Sequence, residues 1–446
     1  MCGCGAETRS DSPGTAAGLE ALTTFVRRVA VLSLHTSPLV QPGTGDGGGM
    51  NVYVREFVSS LAQAGVHCRV YVRRWDYSLP EIVEVEPGFE VVHVPVGPVE
   101  VNKEQLRDLV EPFAHWVAED FTRFKPDVIH ANYWLSGVAG QILKRTTKLP
   151  LVTTFHTLAR VKAESGDPEP ERRAESEAEV MACADSVLAN CAAEADQLIQ
   201  FYNADPARIE IVPPGVDHAF FSPGHSGGAR WALKTDESPL LLFVGRIQPL
   251  KGVDVAVEAL ARLERDDARL WIVGGASGKV GDTEVERIHQ LVSDLGLQDR
   301  VEFKPPQPHH LLSTYYRAAD VCLVPSRSES FGLVALEAAA CGVPVVASAV
   351  GGLLTLVEHG HTGYLVESRD PGDYAAWVDS ILADPVLARR LSVSAAARAR
   401  SFTWSTSAAR MRRLYEDLTQ TALSPCAEPT TDDGASTVVG DPSFVV

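Results

Sequence analysis

The sequence contains no run of about 18 apolar residues, the length a membrane-crossing helix needs. Its opening stretch "MCGCGAETRSDSPGTAAGLE" lacks the apolar core of a secretory signal. Basic residues are also short: 40 Lys and Arg stand against 58 Asp and Glu, a net charge of −18. Such a field repels nucleic acid and anionic membranes as main partners, although a small phosphorylated ligand responds to its own pocket. No D-x-D follows a strand-like run, and Asp432 and Asp433 sit in a Gly-, Ser- and Thr-rich tail, so no carrier for a catalytic divalent cation is expected. The pairs "HGH" (359–361) and "HH" (309–310) lack further ligands at zinc spacing and read as loop histidines. Eight cysteines are scattered mostly as single small hydrophobes, and the expected setting is a reducing cytoplasm.

At 446 residues, with 45% hydrophobic and 22% charged residues, two soluble domains are expected. Apolar runs of strand length recur at 29–34, 68–72, 90–96, 127–131, 150–155, 186–189 and 209–212, with helical periods between several of them. In "MNVYVREFVSSLAQAG", Met50, Val54, Phe57 and Leu61 share one helix face that ends at Gly65. "VPPGVDHAFFSPGHSGGAR" breaks the rhythm as an interdomain linker, and a second series follows at 240–245, 269–275, 300–304, 320–326 and 343–348. The alternation predicts an α/β protein of two Rossmann-like, doubly wound domains facing across a cleft. The expected divisions are a tail at 1–26, a first domain at 27–215, a linker at 216–230 and a second domain at 231–402. A helix at 403–420 and a tail at 421–446 complete the chain.

Residues 43–51, "GTGDGGGMN", satisfy G-x-G-x-x-G through Gly43, Gly45 and Gly48. A dinucleotide fingerprint must leave its strand directly, whereas this loop comes nine residues after Leu34, beyond "HTSPLVQP". The better reading is a side-chain-free loop whose last amides sit at the N-terminus of helix 50–64 and favour an anion. In "SRSESFGLVALEAAACGVPVVAS", Glu329 and Glu337 flank Phe331, Gly332 and Leu333, whose amides open a helix. Amides there suit a diphosphate, and carboxylates suit sugar hydroxyls; Glu337, in an apolar stretch, needs a hydrogen-bonded partner. Arg246 and Lys251 in "VGRIQPLKG" stand where two cations neutralise a leaving diphosphate, in place of a metal. "GGASGKV" (274–280) lacks the P-loop spacing and reads as a loop.

The E-x7-E of Glu329 and Glu337, with the "GR…KG" of Arg246 and Lys251, resembles the donor side of family-4 retaining glycosyltransferases of the GT-B fold. "HTSPLVQPGTGDGGGMNVYV", "HANYWLSG", "FHTLARVK" and "ADPARIEIVPPGVD" are similar to the branch that glycosylates inositol phosphate in mycothiol synthesis, and the resemblance covers roughly residues 27–420. It implies catalytic roles for His156, Arg246, Lys251 and Glu329. It implies donor contacts from Gln41, Pro42, Gly49, Gln307, Phe331, Gly332, Leu333 and Glu337. His35 and the stretch Asp46, Gly47, Gly48, Met50 and Asn51 would line the acceptor ring, with Asn51 pointing at it. Lys103, Tyr133, Thr157 and Arg173 would hold its phosphate. The donor would be a UDP-sugar, the acceptor a small polyol, and no cofactor would be required, although the family allows a structural Mg and a homodimer. Asn132 stands where relatives usually carry a second histidine, Phe155 where they have a small residue, and Gln307 where they have an arginine. Similar motifs serve enzymes acting on unphosphorylated aminocyclitols. A nucleotide-sugar epimerase and a catalytically silent binding paralogue are the readings of other classes.

Overall fold

The computed structural model describes residues 1, 3, 25–43, 47–101, 103–276 and 278–426, and among these the strands form two sheets. The first contains β1 (Arg28–Leu32), β2 (His67–Arg73), β3 (Ile82–Glu86), β4 (Phe89–Val94), β5 (Val128–Asn132), β6 (Leu151–Thr154), β7 (Ser186–Ala189) and β8 (Ile209–Ile211). They lie in the order β3-β4-β2-β1-β5-β6-β7-β8. The second contains β9 (Leu240–Val244), β10 (Arg269–Val273), β11 (Val301–Lys304), β12 (Val321–Val324), β13 (Val345–Ser348) and β14 (Gly363–Val366). Their order is β11-β10-β9-β12-β13-β14. The named strand pairs are parallel except β3 with β4. Strand order reverses at β1/β5 and at β9/β12, and such switch points open a crevice at the carboxyl edge.

Helices cover both faces of each sheet, which is why the strands read as unbroken apolar runs. Along β1, Ala30 and Leu32 enter one core while Val29 and Val31 enter the core on the opposite face. Along β9, Leu240 and Leu242 alternate in the same way with Leu241 and Phe243. The helix Trp404–Gln420 returns to the first sheet. Its buried Trp404, Ala408, Met411 and Tyr415 recur at helical spacing and join Phe57 and Leu61 of helix Gly49–Gln63 in one core. Gly215 permits this return, because a Cβ there would lie 2.1 Å from the Trp404 backbone nitrogen.

Several boundaries differ from the sequence reading. The supposed linker contains the start of helix Ser226–Leu233, and the supposed loop 274–280 contains the start of helix Gly278–Asp294. Neither β3 nor β14 was expected. Val26, assigned to the leading tail, is buried in the core beneath β1. Residues 421–426, assigned to the trailing tail, reach back to the first sheet, where the Ser424 amide donates to Asp185 Oδ1 at 2.7 Å.

Cys183 and Cys426 are joined as a disulfide with Cα atoms 4.4 Å apart, so these two cysteines are not the single hydrophobes expected. A non-reducing digest is expected to yield the Cys183–Cys426 cross-linked peptides, which disappear on reduction. The bond closes a span of 243 residues, so reduction is expected to lower the melting temperature by removing a constraint on the unfolded chain. An unlinked pair in the non-reducing digest would contradict this.

Candidate active site

The carboxyl edges of the two sheets meet, and the predicted residues collect there. His35 follows β1, Tyr133 follows β5, and His156 and Thr157 follow β6. Arg246 follows β9, and residues 326–333 follow β12. Contacts cross between the lobes: Gln41 Nε2 donates to the Pro306 carbonyl at 3.0 Å, and Ser330 Oγ donates to the His156 carbonyl at 2.7 Å. The glycine loop is pressed by the second lobe. A Cβ at Gly43 (φ +86°) would meet Pro306 Cβ at 3.2 Å, and one at Gly48 would meet Arg246 Nε at 3.2 Å. Here the absence of side chains serves close approach of the lobes.

Asn51, expected to face an acceptor, is committed to the glycine loop. Its side chain is buried and fully occupied in building the loop: Nδ2 donates to Thr36 Oγ1 and to the Ser37 carbonyl, both at 2.6 Å. Its Oδ1 accepts from the Gly48 amide at 2.8 Å, a capping contact at the start of helix Gly49–Gln63. Met50 packs against the cores on both faces of the first sheet, so it too is tied to the fold. Gly47 is buried and its carbonyl accepts from the Gly43 amide at 2.9 Å, closing the loop on itself. Gly49 stays exposed, and Pro42 lies half-buried beside Gln41. Asp46 and the side chain of Lys103, which opens the turn Lys103–Leu109, lie outside the described residues.

The predicted phosphate group is built as a network. The His35 and Tyr133 rings lie 4.2 Å apart, and the Arg173 guanidinium lies 5.0 Å from the Tyr133 centroid. Arg173 Nη2 donates to the Thr157 carbonyl and hydroxyl at 3.1 and 3.0 Å. Its other nitrogens are paired with Glu177 at 2.8 Å and Glu169 at 2.9 Å. Glu177 is wholly buried and also accepts from the Ala159 amide and the Tyr202 hydroxyl. Two carboxylates therefore already claim this cation.

On the donor side, Lys251 Nζ lies 2.7 Å from Glu329 Oε2, which Ser326 Oγ approaches at 3.3 Å. Arg246, half-buried, is placed beside the glycine loop. Gly332, at φ +102°, starts helix Leu333–Ala340 with no side chain capping it, so amides at this end are free to receive an anion. Phe331 is buried beneath this turn, and the turn is held by the Gly352 amide on the Glu329 carbonyl at 2.9 Å. Gln307 is folded onto its own loop, its Nε2 donating to Pro305 O at 2.8 Å.

Glu337 finds the partners that its apolar surroundings demand: Tyr316 Oη donates at 2.9 Å and His309 Nε2 lies at 2.7 Å. His309 is thus no plain loop histidine. Burial opposes its protonation, but Glu337, Glu56 and Asp217 outweigh burial and hold its pKa above the ordinary value. The stabilisation from a raised histidine pKa is fully present below the unfolded value and is lost as pH rises through the folded one. Ligand binding at Glu337 is therefore expected to weaken on the alkaline side of ordinary histidine titration as Glu337 loses its charged partner. His309→Asn is expected to flatten that dependence in a pH series of initial rates.

Tyr133 (φ +75°) and His156 (φ +63°) both hold left-handed backbone, uncommon for residues with a Cβ and characteristic of functional sites. Burial pushes the His156 imidazole down to about 3, so it is neutral at working pH. Its Nε2 lies 2.9 Å from Asn132 Oδ1. Sequence reasoning missed His309, Tyr316, Ser330 and the Asn132 contact. The demand of Glu337 for a partner was the one readable signal.

The arrangement places two cations, uncapped helix amides and a neutral imidazole at the same cleft as the His35 and Tyr133 rings and the Thr157 hydroxyl. The description "Glycosyl transferase 4-like domain" matches residues 48–215, and "Glycosyl transferases group 1" matches residues 229–400. The D-inositol 3-phosphate glycosyltransferase of Geodermatophilus obscurus is 48% identical over 395 residues, covering 85% of this chain and 86% of that protein. Its counterpart from Streptosporangium roseum is 45% identical over 405 residues, covering 87% and 93%. Sucrose-phosphate synthase from Thermosynechococcus elongatus superposes with a TM-score of 0.83 at 33% identity, over 89% of this chain and 100% of that one. Anabaena HepE in complex with UDP and glucose superposes at 0.72 with 21% identity, over 88% and 100%, a likeness of fold. Relatives this similar across most of its length, together with two parallel sheets joined at their carboxyl edges, show that the chain belongs to the family-4 glycosyltransferases of the GT-B fold.

Proposed function

We propose that this glycosyltransferase moves a hexose, N-acetylglucosamine or glucose, from a UDP-sugar to inositol phosphate or a related cyclitol, with retention at the anomeric carbon. The observation that carries the reading is the meeting of the Lys251–Glu329 pair and Arg246 with His156 and the glycine loop across one cleft. The curated relatives' activity supports the acceptor class. Among the described residues no three His, Cys, Asp or Glu converge as metal ligands, and no step is routed through a metal. Arg246, Lys251 and the amides at Gly332 stabilise the departing diphosphate. The anomeric C–O bond to phosphate breaks as the acceptor oxygen bonds to the same face. The acceptor's proton passes to the leaving phosphate oxygen, so positioning does most of the work.

A second reading has its own observation: Arg173 is already paired with Glu177 and Glu169, which suits an unphosphorylated aminocyclitol better than a dianion. A release assay for UDP, GDP and ADP against phosphorylated and free cyclitols separates the two. UDP release with inositol phosphate alone supports the first; release only with a free aminocyclitol overturns it. Conversion of UDP-N-acetylglucosamine without any acceptor would instead mark an epimerase.

A further inference from the structure

We infer that Asn132 is a positioning residue that fixes the tautomer of His156, so that the imidazole meets the transferred sugar as a hydrogen-bond acceptor through Nδ1. The inference rests on the proposed reading in one respect only, that His156 faces the donor sugar.

Asn132 is the last residue of β5 and His156 follows β6, and the two strand ends are locked in register, Asn132 opposite Thr154. The Asn132 side chain has no exposure, and its Oδ1 lies 2.9 Å from His156 Nε2. With Oδ1 turned to the ring, Nε2 must carry the proton and donate it, because an amide oxygen only accepts. In a neutral ring the proton on Nε2 leaves Nδ1 with a lone pair. The neighbouring hydroxyl of Thr154 is turned to His130 Nε2 at 2.8 Å, whose Nδ1 is in turn engaged with the Tyr415 hydroxyl at 2.7 Å. Tyr53 meets the His156 ring edge to face at 4.8 Å, which fixes the ring plane without bonding a nitrogen. The backbone is fixed as well: φ is +63° and the carbonyl is held by Ser330 from the other lobe. The ring's one hydrogen bond among the described residues is the Nε2 contact with Asn132. Nδ1 is a preset acceptor at the carboxyl edge of β6.

The consequence is a preference for a sugar bearing a hydroxyl, which can donate to Nδ1, over the same sugar with fluorine, which cannot. An isosteric carboxylate at this position, Asn132→Asp, would change the preference. Its negative charge would draw the ring toward the doubly protonated form, in which Nδ1 is a donor and repels a hydroxyl proton.

The direct test is long-range nitrogen–proton NMR of the histidine-labelled full chain, with His156 assigned by its loss in His156→Gln. The expected spectrum shows a protonated Nε2 and an unprotonated Nδ1 from about pH 6 to about pH 8, above the depressed His156 titration. Protonation on Nδ1 instead overturns the inference, whatever the enzyme's substrates. The functional arm uses UDP-hexoses with one hydroxyl at a time replaced by fluorine. In the wild type a single position is expected to lose about 10-fold in kcat/KM. In Asn132→Asp that discrimination is expected to vanish, and a new acidic loss of kcat/KM should appear. Discrimination unchanged in Asn132→Asp and in Asn132→Leu, with both variants folded, overturns it. Absence of transfer to any cyclitol would sink the proposed function while the NMR result stood.

Discussion

Lys251→Ala is expected to lower turnover by about 10²–10³-fold, the loss typical of removing a preorganised group that stabilises developing charge. Lys251 ends the turn Pro249–Lys251 and its side chain is partly exposed, so truncation leaves little cavity. Its Nζ is 2.7 Å from Glu329 Oε2, and both groups lie where strand ends of the second sheet face the first lobe. On the proposed reaction removal would act twice: a cation would be lost from the leaving diphosphate, and Glu329 would be left to repel it. Lys251→Ala combined with Glu329→Gln should recover part of the loss, because the stranded carboxylate is gone. Single-turnover release of UDP measures the chemistry, and a melting curve within about 2 °C of the wild type would show that the fold is retained. Unchanged turnover in Lys251→Ala would remove this residue from the reaction.

Arg173→Ala is expected to destabilise the protein by about 3–5 kcal/mol, the usual consequence of removing one partner from a buried ion pair. Glu177 has no exposure, and Arg173 supplies its counter-charge at 2.8 Å. The Ala159 amide and the Tyr202 hydroxyl would remain, but neither carries charge. Denaturant unfolding should register the loss before any effect on an acceptor phosphate can be read. Thr157→Val is the cleaner probe of the pocket, since Thr157 is exposed and only its hydroxyl contact with Arg173 disappears. It is expected to raise the acceptor KM while stability stays nearly level. A stable Arg173→Ala variant with a raised acceptor KM would instead make Arg173 a direct ligand, as the family resemblance implied.

The difference between these two cations shows what was legible beforehand. Lys251 was readable because its chemistry is local: a cation just beyond a strand, next to a glycine, in a doubly wound series. Arg173 was readable as a member of the pocket, but its charge state depends on Glu169 and Glu177, which only the helix geometry brings onto its guanidinium. The commitments of Asn51 were hidden for a similar reason. A polar residue after a glycine loop looks like a ligand group, yet burial commits each of its polar atoms to the loop itself.

Apolar periodicity by itself determined the α/β class and the two lobes, because strands covered on both faces must be apolar throughout and amphipathic helices must bury one stripe. Turn and charge patterns placed Arg246, Lys251 and Glu329 beyond strand ends and Glu337 on the helix that follows. Tertiary structure alone decided which polar groups are spent on the fold and which remain for a substrate. His309 and Tyr316 claim Glu337, Ser330 reaches across to His156, and Asn132 claims Nε2. These partners are separated by up to 174 residues, and a hydrogen bond has no periodicity along a chain. It depends on distances of about 3 Å that exist only after the sheets have formed.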